Sequence, residues 1–207
     1  MSEKFVLFDF DGVIADSYDL SLELSKKFDG NIDEEAFRAL FEGNIYDSLK
    51  KRRGEDVTEL AKKYFAEFVP RMRTEAHLVP GMDSVVTGLA GSYTLIIVSS
   101  TPSDGIRELL SRYAVESYFA EIMGMDVHTS KIEKIGRALH AHRATASDCV
   151  FVTDTLGDIR EAEAHGIGAI GVSWGVHSHE TLEKGIPFRI VDKPEELPDA
   201  VDDYFAH

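Results

Sequence analysis

The pattern of apolar and polar positions divides this chain into two regimes. Phe5-Val6-Leu7-Phe8 is a short continuous apolar run, closed by Asp9-Phe10-Asp11-Gly12, and predicts a strand over residues 4–10 buried on both faces. From about Asp16 to Leu78 the signals are helical, with no convincing strand. Tyr18, Leu20, Leu22 and Leu24 follow Asp16 as an N-cap. Ala36, Phe37, Leu40 and Phe41 form one face of a helix from Asp33. Leu60, Ala61, Tyr64, Phe65 and Phe68 mark a third helix from about Val57 to Met72. Val79-Pro80-Gly81 then punctuates a return to alternation.

Beyond Gly81, helix Met82–Ala90 leads to strand Tyr93–Val98, and helix Asp104–Tyr113 to a short strand near Glu121–Gly124. Helix Lys131–His142 leads to strand Cys149–Thr153, and helix Asp158–His165 to strand Gly168–Val172. A last strand over Phe188–Val191 precedes a helix over Pro194–Phe205. Apolar strands alternating with helices predict an α/β fold, a doubly wound parallel sheet with helices on both faces. The all-helical stretch is an insertion after the first strand. The expected division is a core of residues 1–15 and 79–207 and a cap of residues 16–78.

Ligands of open parallel sheets bind outside the carboxyl ends of the strands. The first strand ends there in Asp9 and Asp11, although Asp is depleted in strands and costly to bury ionised without a partner. A divalent cation resolves that cost; a hairpin turn at Asp11-Gly12 is the plainer alternative. The second strand ends in Ser99-Ser100-Thr101, the fourth in Thr153-Asp154 with Asp158 four residues on, and Lys131 opens the helix before that strand. Converged on one rim, these groups suit phosphoryl transfer through a covalent intermediate. Asp9 is the candidate nucleophile, and Asp11 the acid that protonates the leaving alkoxide and then the base that activates water. Asp9, Asp11, Asp154 and Asp158 are candidate oxygen ligands for Mg2+, Asp158 either directly or through a bound water. Ser99, Ser100 and Lys131 are the candidate phosphate contacts, with Lys134 as a competitor for Lys131 on the same helix.

In this order the residues resemble the four motifs of the haloacid dehalogenase-like hydrolase superfamily: Asp9 and Asp11 within Phe8-Asp9-Phe10-Asp11-Gly12-Val13, then Ser99, then Lys131, then Asp154 and Asp158. The resemblance covers nearly the whole chain, with the helical insertion matching the family's C1 cap. It implies a Rossmann-like core, Mg2+ as cofactor, and a cap that closes over a small phosphorylated metabolite. Members that cleave carbon–halogen bonds lack the second Asp of the first motif, so Asp11 favours a phosphatase, of the phosphoglycolate phosphatase or beta-phosphoglucomutase-like type. A phosphomutase is the alternative within the superfamily, and a receiver-like phospho-aspartate module the alternative outside it. Two positions depart from the pattern: Thr153 stands where Gly is usual, and Ser100 where Asn is frequent.

Charge and composition narrow the partners. A net charge of −15 over 207 residues disfavours nucleic acid and anionic membrane as partners. The one cysteine, Cys149, excludes an internal disulfide and fits a cytoplasmic protein. No apolar run is expected to act as a leader or a membrane span. His140-Ala141-His142 and His177-Ser178-His179 read as surface histidines, and Trp174 as packing near the rim. Two cap positions are candidate substrate contacts: Asn44, after Gly43, and Arg52, within the basic run Lys50-Lys51-Arg52-Arg53. The sequence fixes neither the substrate nor the oligomeric state.

Overall fold

The computed structural model of the protein describes residues 3–54 and 57–207; the other residues of the expected core and cap, 1–2 and 55–56, lie outside it. In chain order the strands are β1 (Phe5–Phe8), β2 (Ala15–Asp16), β3 (His77–Leu78), β4 (Thr94–Val98), β5 (Phe119–Met123), β6 (Cys149–Thr153), β7 (Gly168–Val172) and β8 (Arg189–Val191). The helices are α1 (Tyr18–Phe28), α2 (Glu34–Ala39), α3 (Ile45–Arg53), α4 (Thr58–Glu75), α5 (Met82–Ala90), α6 (Ser103–Arg112), α7 (Lys131–His142), α8 (Leu156–Glu163), α9 (His179–Glu183) and α10 (Leu197–Ala206).

Six strands form one parallel sheet in the order β5-β4-β1-β6-β7-β8. β1 lies between β4 and β6, and its four residues are all buried, as a run without polar alternation requires. Val6 and Phe8 face a core shared with Met82, Val86, Ile106 and Leu197. Phe5 and Leu7 face the other layer, with Ile135, Ala138 and Ala162. The order reverses beside β1, which is where a doubly wound sheet opens its ligand crevice.

Register places the chemistry. Phe8 sits opposite Ile97 of β4 and Val152 of β6, so the residues that follow these strands reach the same rim. The Asp9 N–H continues the ladder to the Val152 carbonyl at 2.9 Å, and the Ser99 N–H continues it to Met123 at 3.0 Å. Gly12 then turns the chain with φ +73°, donating its N–H to Ala15 at 2.8 Å. A Cβ there would lie 2.2 Å from Asp154 Oδ2, so only glycine passes this point without moving the carboxylate.

The helical insertion lies between β1 and β4, with one correction at its margins. The stretch from Asp16 to Leu78 reads as strand-free, yet β2 and β3 pair antiparallel, Ala15 with Leu78 and Asp16 with His77. Two-residue strands carry too little periodicity to stand out, but this ladder ties together the two chain crossings between core and cap. The cap also contains α3, whose N-cap Asn44 accepts from the N–H groups of Tyr46 and Asp47. Aromatic contacts join the cap helices, including Phe28 with Tyr64 and a stacked Tyr64–Phe68 pair.

Phe8 is fully buried in the central strand and meets Phe119 edge to face at 6.4 Å. Phe8→Ala is expected to lower unfolding free energy by about 3–5 kcal/mol. Urea denaturation followed by circular dichroism checks this; a loss below about 1 kcal/mol would mean that the central strand is not the packing centre of the core.

Candidate active site

Each carboxylate at the rim is delivered by a strand end or a helix start. Asp9 Oδ1 accepts from its neighbour's N–H, Phe10, at 2.7 Å and pairs with Lys131 Nζ at 2.8 Å. Lys131 is the first residue of α7, after the N-cap Ser130, so its stem enters the rim from below. Its Nζ also lies 2.6 Å from Asp158 Oδ2. Asp158 sits in the first turn of α8, where the Thr155 hydroxyl caps its N–H at 3.2 Å. One ammonium thus bridges two buried carboxylates from different elements.

The charges at this rim do not balance. Burial pushes the Asp9 carboxyl well above the ordinary carboxylate range, against the pull of Lys131. At Asp158 burial pushes the same way, but the Lys131 ammonium outweighs it and holds that carboxyl below its ordinary value. Burial also disfavours the charge on Lys131, yet Asp158 and Asp9 overcome this and keep it protonated. Asp154 receives less help. Burial raises it to about 7 even though the Val176 N–H donates to Oδ2 at 2.7 Å.

Asp11 is set apart from this cluster. It is half-buried, and its two oxygens accept from Ser17 Oγ at 2.7 Å and Thr101 Oγ1 at 2.6 Å. Burial raises its carboxyl, and these two hydroxyls work against the rise. The environment therefore separates Asp11 from Asp9. Ser17 and Thr101 were not singled out in the sequence; Thr101 ends the Ser99-Ser100-Thr101 run, which was the available signal.

The remaining candidates fall as follows. Ser99 is buried, its Oγ accepts from the Thr101 N–H at 3.0 Å, and its carbonyl accepts from Lys134 Nζ. Ser100 lines the cavity above the rim, as does Lys131, whereas Lys134 and Ser99 do not. Burial and the neighbouring Lys131 push Lys134 down to about 8. Thr153 donates its hydroxyl to Asp158 Oδ2 at 2.8 Å and accepts from the Thr155 N–H at 3.1 Å, so the residue in the usual glycine position adds a donor to the cluster.

On the cap side, Asn44 lines the cavity and donates to Glu161 Oε1 at 3.0 Å. Glu161, on α8, is buried and was missed in the sequence, since a helical Glu carries no signal of burial. Arg52 is a correction. It is not in the cavity lining, where Arg53 stands instead, but pairs at 2.8 Å with Asp29, which is, and reaches the Asn31 carbonyl. His177 is a second correction, being buried rather than on the surface. Its Nδ1 accepts from the Leu156 N–H at 2.9 Å, so Nε2 carries the proton and donates to the Arg38 carbonyl of the cap at 3.0 Å. Trp174 packs against the core with its N–H 3.3 Å from the Val13 carbonyl.

The donor set fits a divalent cation. Asp154 Oδ1 is buried without a hydrogen-bond partner, an orphaned acceptor beside two further carboxylates and one ammonium. A Cβ on Gly12 or Gly175 would come within 2.2 Å of Oδ2, so two glycines leave room for this carboxylate. Among the described residues no three acids or histidines close into a preformed cage. Mg2+ needs no such cage, since it keeps several waters and takes one or two protein carboxylates.

Comparison with known proteins places this geometry. A model of the haloacid dehalogenase-like hydrolase family matches residues 6–172, which include Asp9, Asp11, Ser99, Lys131, Asp154 and Asp158. The chain belongs to that family. A phosphoglycolate phosphatase of Vibrio parahaemolyticus is 24% identical over 96% of this hydrolase and 96% of its own length. A probable phosphatase of Dickeya dadantii, IndB, is 33% identical over 67% of this hydrolase and 63% of its own length. Among solved structures, a predicted phosphatase from Clostridium acetobutylicum superposes with a TM-score of 0.83 at 22% identity, covering 98% of this hydrolase and 100% of that chain. The last comparison speaks to the fold, a capped parallel sheet. No helix among the described residues is long and apolar enough to cross a membrane.

Two stability measurements on chelator-treated protein test the electrostatics. Lys131→Met leaves Asp9 and Asp158 buried without their counter-charge and is expected to cost about 3–5 kcal/mol at neutral pH; a neutral substitution would refute the bridging role. Asp154 has its folded carboxyl raised, so its stabilising contribution is complete below its unfolded pKa and is lost as pH rises through about 7. The melting temperature should therefore fall between pH 5 and 8, and Asp154→Asn should flatten that slope. An unchanged slope in the variant would remove Asp154 as its source.

Proposed function

We propose that this hydrolase is an Mg2+-dependent phosphatase of a small phosphorylated metabolite, acting through an aspartyl-phosphate on Asp9. The observation that carries the reading is the separation of the first two carboxylates. Asp9 is paired with Lys131 at 2.8 Å, whereas Asp11, two residues on, is held by two hydroxyls that leave it able to exchange a proton. The names of the relatives in Vibrio and Dickeya point to the same class of reaction.

In this reading an Asp9 oxygen attacks phosphorus as the bond to the leaving oxygen breaks. Asp11 gives its proton to that oxygen, so the alcohol leaves neutral. Asp11 then takes a proton from the water that attacks the aspartyl-phosphate, which frees phosphate and restores Asp9. Lys131 offsets charge on the phosphoryl oxygens, and the cap covers the rim through His177, Arg38, Asn44 and Glu161. Mg2+, held by Asp154 with Asp9 and with Asp158 directly or through water, would supply the positive charge that this rim lacks and keep Asp9 ionised.

A phosphomutase would use the same residues and return the phosphoryl group to the sugar, so release of inorganic phosphate separates the two. Asp9→Asn should abolish phosphate release while the melting temperature stays within a few degrees of wild type. Near-wild-type turnover in that variant would sink the mechanism. Asp11→Asn should slow alkyl esters by about 10²–10⁴-fold and activated aryl esters much less. Equal losses for both would deny Asp11 the role of acid. Mg2+ at 100 times its dissociation constant should add about 2.7 kcal/mol of stability to wild type, and this gain should largely vanish in Asp154→Asn.

A further inference from the structure

The cavity that starts at Asp9 and Lys131 continues into the cap as a single space of about 150 Å³. Most of its cap wall is apolar, with Phe28 at the end of α1, Ile45 and Leu49 on α3, and Leu60, Tyr64 and Phe65 on α4, although Ser21, Ser25, Asp29, Asn44, Tyr46 and Arg53 line it too. The six apolar side chains are only half-buried, so the cap helices leave a gap where a sealed bundle would close over them. The phosphate takes part of this volume, so the space left at the cap end suits a group no larger than a benzene ring.

The polar groups of the cap are already engaged with one another. Asp29 is held by Arg52, Asn44 by Glu161, and the Tyr46 hydroxyl lies 3.4 Å from the Ser100 carbonyl. The Tyr64 hydroxyl takes hydrogen bonds with Ser21 and Ser25. Of the described lining residues, Lys131 and Arg53 are cationic, against the six acids Asp9, Asp11, Asp29, Asp154, Asp158 and Glu161. At the cap end the lining carries Asp29 and Glu161 beside Arg53, so a second anionic group on the substrate would find no excess of positive charge there. Sugar hydroxyls would exchange water for a lining that is mostly carbon and whose polar groups already have partners, which is costly without replacement hydrogen bonds.

We infer that the alcohol released by this enzyme is apolar: the substrate is a phosphate monoester whose compact hydrocarbon group, no larger than a benzene ring, fills the cap cavity while its phosphate meets Asp9 and Lys131. This rests on the phosphatase reading and narrows it to a substrate class.

The test compares esters with similar, poor leaving groups, so that binding rather than leaving-group chemistry sets the ranking. With Mg2+ present, kcat/KM is measured for ethyl, propyl, butyl and benzyl phosphate, phosphoglycolate and glucose 6-phosphate. The expected result is a rise of about fourfold per added methylene, with benzyl phosphate at least tenfold above phosphoglycolate and glucose 6-phosphate. Benzylphosphonate should compete at least tenfold more tightly than phosphonoacetate. Phe65→Ser should lower kcat/KM for benzyl phosphate at least tenfold more than for ethyl phosphate, in protein whose melting curve shows it folded; Leu49→Asn serves if it is not. A flat alkyl series, or a preference for phosphoglycolate or the sugar phosphate, would overturn the inference and leave the phosphatase standing. Failure to release phosphate from any ester would overturn both.

Discussion

Everything at the rim depends on one ammonium placed between two buried carboxylates. Lys131 reaches Asp9 at 2.8 Å and Asp158 at 2.6 Å from the first turn of α7, in a pocket where its own side chain is 5% exposed. Burying an ion is expensive unless partners of opposite charge and further hydrogen bonds replace water. The Thr153 hydroxyl and the Phe10 N–H supply some of those bonds, to Asp158 and Asp9, but the balance stays negative because Asp154 has no cation of its own. The residual negative charge is of the kind that a divalent cation would offset. A rim neutralised by a second lysine at the position of Asp154 would be more stable and would have no need of a metal. Lys134, which is buried one turn along α7, instead spends its charge on the Ser99 carbonyl and shapes the loop after β4.

The sheet makes this cluster possible by register. Because Phe8 is opposite both Ile97 and Val152, three strands terminate level with one another, and residues far apart in sequence become neighbours without any loop having to reach. The cap is then seated on the same ground. Arg38 donates to the Val176 carbonyl, Arg160 donates to the Glu42 carbonyl at 2.6 Å, and His177 joins the start of α8 to the end of α2. Gly157 lets the cap backbone approach α8 closely, since a Cβ there would lie 2.6 Å from the Gly43 carbonyl. Part of the seat of the cap and the second of that pair of acids, Asp158, therefore belong to the same helix. A movement of one reaches the other through few bonds.

What the sequence made legible follows from how each signal is carried. The strands at the heart of the sheet are continuous apolar runs, and the motif residues sit at their ends, so β1, β4, β6 and the acids could be read directly. β2 and β3 could not, because two residues carry no period; their pairing is fixed by where the insertion leaves and re-enters. Arg52 and Arg53 are adjacent on α3, and helix rotation alone decides that Arg53 lines the cavity while Arg52 stands behind Asp29 at its wall. Lys131 and Lys134 share a helix face, and both are buried; only the depth at which the helix starts distinguishes their partners. His177 was misread since spacing from His179 suggests a solvated loop, whereas its ring replaces water for the Leu156 N–H and the Arg38 carbonyl.

The cavity joins two environments of opposite character. Its core end holds charge that can act on any phosphate ester, so those residues can remain the same whichever alcohol is attached. Its cap end is hydrocarbon and does not touch the reacting atoms. Binding energy gained there by an apolar group can be spent at the other end, on bringing a phosphate dianion against buried carboxylates that repel it. A polar alcohol that leaves its hydroxyls unpaired in the cap has less such energy to offer. The acidic excess at the rim would then select, through the cap, for substrates whose remote part can offset the repulsion. On the proposed reading, specificity and catalysis would be coupled by the same unbalanced charge that Lys131 only partly neutralises.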